Sequence, residues 1–161
     1  MKIQRILFPT DFSHYNDAAL KLASTLAAEA DAVLYIIHVH DIRELNAMMG
    51  EGSYLYASSW DDERKEAHER LRKVVPTVPG LTYQHECLIG SPVSEILRFA
   101  ESHGVDLIVL ASHGRTGLPR LLMGSIAEGV MRKAKCPVLV VKQPAGEPET
   151  DAAVACHAAE S

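Results

Sequence analysis

Short apolar segments alternate with segments of helical periodicity along most of this chain, and that alternation restricts the fold more than any other feature. Most of the apolar segments lack polar residues at alternate positions, as in strands that are covered on both faces. Strands that alternate with helices predict a parallel sheet with helices on both faces. The predicted strands are KIQRILFP, AVLYIIHV (32–39), TYQHECLIG (82–90), DLIVLA (106–111) and CPVLVVK (136–142).

The chain has 161 residues, enough for one domain with a sizeable core. We expect that domain to span residues 1–143. Residues 42–58 show no clean period and contain two glycines, which favours a long loop. Residues 144–161 have little apolar bulk and no period, so we expect a disordered tail.

Composition argues against several classes of protein. A formal net charge of −5 does not favour nucleic-acid binding, which needs a clustered basic face. No apolar run approaches the ~20 residues of a membrane span, and Asp11 interrupts the N-terminal apolar run too early for a signal peptide. The chain has three cysteines and no C-x-x-C spacing, which favours free thiols in a reducing cytoplasm.

Polar residues and glycines follow two of the predicted strands directly. Pro9-Thr10-Asp11 ends the first strand, and Ala111-Ser112-His113-Gly114 ends the fourth. Ligands of open parallel sheets bind beyond the carboxyl ends of the strands, where the strand order reverses. These two strand ends are therefore the first candidates for a binding site.

The stretch VLASHGRTGLPRLLMGSIAEGV (109–130) carries a glycine loop between a strand and a helix. It matches neither the Walker A pattern nor the dinucleotide fingerprint. Free N–H groups at the helix start would suit a phosphate, with Gly124 allowing close approach and Arg115 adding charge. Alternatively, Ser125-x-x-Glu128 is a capping box that satisfies its own helix end. From the residues alone both interpretations stay open.

Two catalytic or metal-binding interpretations are weaker. Ser112 and His113 are adjacent, so their side chains point in opposite directions on leaving a strand, unlike a nucleophile and its base. His38 and His40 share one face of a strand, but no third metal ligand can be placed. We predict neither a catalytic residue nor a metal site.

Four segments together resemble the universal stress protein family, from Lys2 to Lys142: ILFPTDFS, IIHVHD, ASHGRTGLPRLLMGS and CPVLVVK. The family motif G-x2-G-x9-G-[ST] stands here as Ala111-x2-Gly114-x9-Gly124-Ser125. Alanine replaces the first motif glycine, and its methyl group would crowd a ligand that lies against it.

The resemblance implies a Rossmann-like, adenine nucleotide alpha hydrolase-like fold with sheet order 3-2-1-4-5, which brings Asp11 and the glycine loop to one crevice. It implies binding of ATP, with or without Mg²⁺: Asp11 near adenine and ribose, Val39 backbone at adenine, and the glycine loop at the phosphates. The predicted binding residues are Pro9, Thr10, Asp11, Val39, Ala111, Gly114, Arg115, Gly124, Ser125 and Ile126.

The resemblance also implies a homodimer formed through the last strand, residues 136–142. No general base is evident in the sequence, so we expect slow ATP hydrolysis at most. A second hypothesis is a nucleotide-free interaction module of the same family, whose dimer is the functional unit.

Overall fold

The computed structural model describes residues 2–43, 57–112 and 123–142, with only the backbone described at 57–61 and 63. The strands are β1 (Arg5–Pro9), β2 (Val33–Asp41), β3 (Tyr83–Gly90), β4 (Leu107–Ala111) and β5 (Val138–Val141). The helices are α1 (Asp17–Ala30), α2 (Ala57–Lys73), α3 (Pro92–Ser102) and α4 (Ser125–Lys133), with a short 3₁₀ turn at His14–Asn16.

The strands form one sheet in the order β3-β2-β1-β4-β5, and every neighbouring pair is parallel. The predicted fold class and strand order are therefore confirmed. The order reverses between β1 and β4, since the chain moves outward to β3 before it returns to the other side of β1. The carboxyl ends of β1 and β4 meet at this switch point.

Successive residues of each central strand belong to two different cores. Ile6 and Phe8 pack with α1 and α2, and Leu7 packs with α3 and α4. All three side chains are fully buried. The sheet is thus covered on both faces, as the continuous apolar runs predict.

Helix α3 begins with Pro92 at its first position, where the missing N–H of proline costs no helical hydrogen bond. Helix α2 starts at Ala57, about two residues before the charged segment, residues 59–75, whose composition predicts a helix there. Most of the expected 42–58 loop and the expected 144–161 tail lie outside the described residues. None of the described helices combines the length and apolarity that crossing a membrane requires.

Candidate functional site

A crevice of about 290 Å³ opens at the carboxyl ends of β1, β2 and β4, next to the start of α4. Eight of the ten predicted binding residues line it. From the strand ends come Pro9, Thr10, Asp11, Val39 and Ala111, and from the start of α4 come Gly124, Ser125 and Ile126. Gly114 and Arg115 lie outside the described residues. Ligand contact by any of the ten stays a prediction.

The turn after β1 is organised around the carboxylate of Asp11. Its Oδ1 accepts hydrogen bonds from the Ser13 N–H (3.0 Å), the Ser13 hydroxyl (2.7 Å) and the Asn16 amide (2.5 Å). The Ser13 hydroxyl thus bonds Asp11 rather than a helix end, and Asn16 is the residue that precedes α1. This carboxylate is therefore oriented by its own turn.

Phe12 occupies the left-handed region of backbone space, with φ of 64°. A bulky residue adopts that conformation only where its surroundings enforce it. Its N–H donates to Thr10 Oγ1 at 3.0 Å. Its ring lies 4.2 Å from the ring of His38, and the Arg70 guanidinium lies 4.5 Å from its centroid. These contacts fix the turn that follows Asp11.

His38 is buried beneath this turn, and its Nδ1 lies 2.8 Å from the carbonyl oxygen of Thr10. A carbonyl oxygen only accepts, so Nδ1 is the donor. The ring of His40 lies 4.9 Å away, edge-on. In the part of the chain that the structure describes, no three His, Cys, Asp or Glu side chains form a group suited to a metal ion.

Sequence reasoning missed an ion pair at the crevice mouth. The guanidinium of Arg43 contacts both carboxylate oxygens of Asp41, at 3.1 and 2.7 Å, and the Arg43 N–H also bonds that carboxylate. The Asp41 side chain is only 12% exposed and that of Arg43 is 77% exposed, so the positive partner of the ion pair is the one exposed to solvent. The signal was available, since Asp41 ends β2 as Pro9 ends β1.

No side chain among the described residues caps the start of helix α4. Gly124 precedes the helix, and Ser125 is already its first helical residue. The Gly124 N–H donates to the Ser112 carbonyl at 2.8 Å, which fixes the helix start against the end of β4. The capping-box interpretation of Ser125 and Glu128 is therefore wrong. The first-turn N–H groups have no carbonyl partner within a helix, and the residues that carry them, Ser125, Ile126 and Ala127, line the crevice.

The two described cysteines are free thiols. Burial raises the pKa of the Cys87 thiol, and the nearby Glu86 carboxylate raises it further. Burial also raises the pKa of Cys136, which is half-buried. Both therefore stay in the unreactive thiol form near neutral pH, and neither lines the crevice.

The sheet order and the position of the crevice define a Rossmann-like α/β protein. Residues 2–142 match the model of the universal stress protein family, and the chain belongs to that family. It is 41% identical to the universal stress protein MJ0531 of Methanocaldococcus jannaschii over 145 residues, 89% of this chain and 85% of that one.

Two solved structures show the same fold. That of protein MJ0577, also from Methanocaldococcus jannaschii, matches with a TM-score of 0.72 and 30% identity, covering 91% of this chain and 100% of that one. A universal stress protein from Archaeoglobus fulgidus in complex with dAMP matches with a TM-score of 0.62 and 23% identity, covering 87% and 98%. At that identity the second match speaks for the fold alone.

Proposed function

We propose that this protein binds an adenine nucleotide, ATP in particular, in the crevice at the carboxyl edge of the sheet. The observation that carries the proposal is the start of α4, where a glycine precedes the helix and no side chain of the described residues caps it. An uncapped helix start offers N–H groups and a partial positive charge to a phosphate. The glycine places no Cβ between the anion and those groups.

The phosphates would lie against Gly124 and Ser125. The family resemblance assigns Gly114 and Arg115 to the same phosphates. Among the described residues the crevice holds one strongly exposed cation, Arg43, at its β2 side. Backbone N–H groups therefore carry most of the anion recognition on the described side of the site.

The base and ribose would lie at the other end, between the ends of β1 and β2. There the crevice combines apolar wall residues, Pro9 and Val39, with the oriented carboxylate of Asp11. Apolar walls with a few fixed polar groups are typical of cofactor sites. The dAMP complex of the Archaeoglobus fulgidus protein supports this assignment only as evidence that the fold accommodates an adenine nucleotide.

The described residues fit a nucleotide better than a protein-held metal. The two carboxylates of the crevice are already engaged, Asp11 within its turn and Asp41 with Arg43. Mg²⁺ often binds through phosphates and water with few protein ligands, so in this proposal it accompanies the ATP. The same engagement leaves neither of these two described carboxylates poised to activate water, so we expect slow hydrolysis at most.

A homodimer through residues 136–142 is part of the proposal. Strand β5 is an edge of the sheet, and Leu139 on it is 36% exposed. Edge strands with apolar side chains are normally paired or covered. We also propose a cytoplasmic location, supported by the free thiols of Cys87 and Cys136.

Calorimetric titration of the purified full-length protein with ATP tests the nucleotide proposal. Mass spectrometry of gently purified protein, released by acid, shows whether a nucleotide accompanies it. Saturable binding below millimolar ATP supports the proposal. No heat of binding at millimolar ATP and no co-purified nucleotide would leave the nucleotide-free dimeric module as the function.

A further inference from the structure

The hydrogen-bond ladder between β1 and β2 ends at Thr10, although β2 continues to Asp41. Backbone groups of β2 alternate in direction: the Val33 N–H donates to Gln4 on the β1 side, and the Leu34 N–H donates to Thr82 on the β3 side. Odd-numbered residues of β2 therefore face β1. The ladder extends beyond β1 through the Thr10 N–H, which donates to the Ile37 carbonyl at 2.8 Å.

The next bond of a parallel ladder would join the Val39 N–H to the Thr10 carbonyl. The structure instead gives that carbonyl the Nδ1–H of His38, at 2.8 Å. The bond after it would join the Phe12 N–H to the Val39 carbonyl. That N–H donates instead to Thr10 Oγ1, at 3.0 Å. The turn after β1 thus satisfies its own backbone groups with side chains.

Val39 is left with an N–H and a carbonyl that bond to no other described residue. The residue is half-buried and lines the crevice. Half-buried backbone groups of a central strand are normally paired. A donor and an acceptor on one residue here face the path that β1 would have followed, which is where the crevice opens.

We infer that His38 is a positioning residue for ligand recognition: its imidazole holds the Thr10 carbonyl away from the Val39 N–H and so keeps the backbone of Val39 available to a ligand. The inference rests on the proposed nucleotide site. The matching ligand edge carries an acceptor beside a donor, as N1 and the 6-amino group of adenine do. Hypoxanthine carries a donor and an acceptor in the reverse order, so its nucleotide should be rejected.

Two substitutions separate the role of His38 from simple packing. His38→Leu removes the donor and keeps an apolar side chain of similar bulk in a buried position. His38→Asn is the matched control, because its amide nitrogen falls near the place of Nδ1 and can still donate to Thr10. In the Leu variant no imidazole holds the Thr10 carbonyl in place, so this carbonyl can turn to accept from the Val39 N–H.

Amide hydrogen exchange in the ligand-free, full-length protein shows directly whether the Val39 N–H is hydrogen-bonded. We expect the Val39 amide to exchange at least about tenfold faster than that of Ile37 in the wild type and in His38→Asn, and to become protected in His38→Leu. The affinity for ATP should fall about tenfold or more in His38→Leu and stay within about threefold of the wild-type value in His38→Asn. The wild type should also bind ATP more tightly than inosine triphosphate.

The outcomes distinguish this inference from the proposed function. A Val39 amide as protected as that of Ile37 in the wild type overturns the role of His38, whether or not the Leu variant folds. Wild-type ATP affinity in a folded His38→Leu overturns it as well. If the wild type binds no ATP but the exchange pattern holds, the nucleotide proposal fails and the control of Val39 by His38 stands.

Discussion

Asp11 serves the turn and the proposed ligand at once. Asp11→Ala removes the acceptor of three hydrogen bonds and the carboxylate near the ribose. We expect ATP affinity to fall about 10- to 150-fold, the equivalent of ~1.5–3 kcal/mol for hydrogen bonds to a charged group. Calorimetry measures the affinity, and urea unfolding should show a concurrent loss of stability.

Glu69→Ala is the charge-matched control, because Glu69 is exposed on α2 and its loss changes net charge equally. It should leave ATP affinity within about twofold. Equal affinities for the wild type and Asp11→Ala would remove Asp11 from the site.

Gly124 permits a test in which stability and binding move in opposite directions. Its φ of −59° and ψ of 145° are open to any residue, so a side chain there causes no backbone strain. Aspartate is a strong N-cap and should stabilise α4 by a few tenths of a kcal/mol. Its carboxylate would also occupy the proposed phosphate position, so Gly124→Asp should unfold at higher urea and lose ATP binding.

Gly124→Asn is the isosteric neutral control, which caps the helix similarly without the charge. It should bind ATP more weakly than the wild type and more tightly than Gly124→Asp. Undiminished ATP binding by Gly124→Asp would show that the phosphates lie elsewhere.

At the scale of residues, the sequence predicted which residues lie at the crevice better than it predicted their hydrogen-bond partners. Motif spacing and family resemblance led to eight residues that the structure brings to one crevice. The link from His38 to the Thr10 carbonyl spans 28 residues and depends on the β1–β2 register. No pattern within a single segment specifies that register, so the sequence predicted neither the hydrogen-bond partner of His38 nor its role.

At the scale of elements, β5 gives the sharpest prediction. Leu139→Glu would place a charge on the apolar edge, which should convert a dimer to a monomer without unfolding the chain. Multi-angle light scattering at micromolar protein measures the mass. A monomeric wild type at that concentration would contradict the β5 interface.

Ile89→Glu is the matched control on the opposite edge strand, β3, where Ile89 is 46% exposed. It should leave the oligomeric state unchanged. Dissociation by Ile89→Glu alone would assign the interface to β3.

The positions of the strands and helices could be predicted from local sequence patterns, but the order of the strands in the sheet could not. Apolar runs and helical spacing predicted all five strands and the helices between them, with ends shifted by a few residues. The pairing of β1 with both β2 and β4 is a long-range choice among similar apolar strands. That choice came from the family resemblance, because nothing in an isolated apolar run states which strand will lie beside it.

The whole molecule should turn ATP over slowly, at or below about one event per minute, far under the ~1–10³ s⁻¹ of typical enzymes. Phosphate release by protein free of contaminating ATPases measures this. Ser112 is buried at the end of β4, and Ser112→Ala should leave any activity largely intact. Turnover of several per second would contradict this prediction and would require a catalytic group.

The unfinished ladder between β1 and β2 has a consequence for the lifetime of the protein. A base held by the Val39 backbone would act as the missing residue of β1, so the ligand would be part of the sheet. Ligand at a hundred times its Kd adds about 2.7 kcal/mol to the free energy of unfolding. Degradation that proceeds through opened forms slows as that free energy rises. The amount of this protein in a cell would then follow the supply of nucleotide, without any signal passing to another molecule.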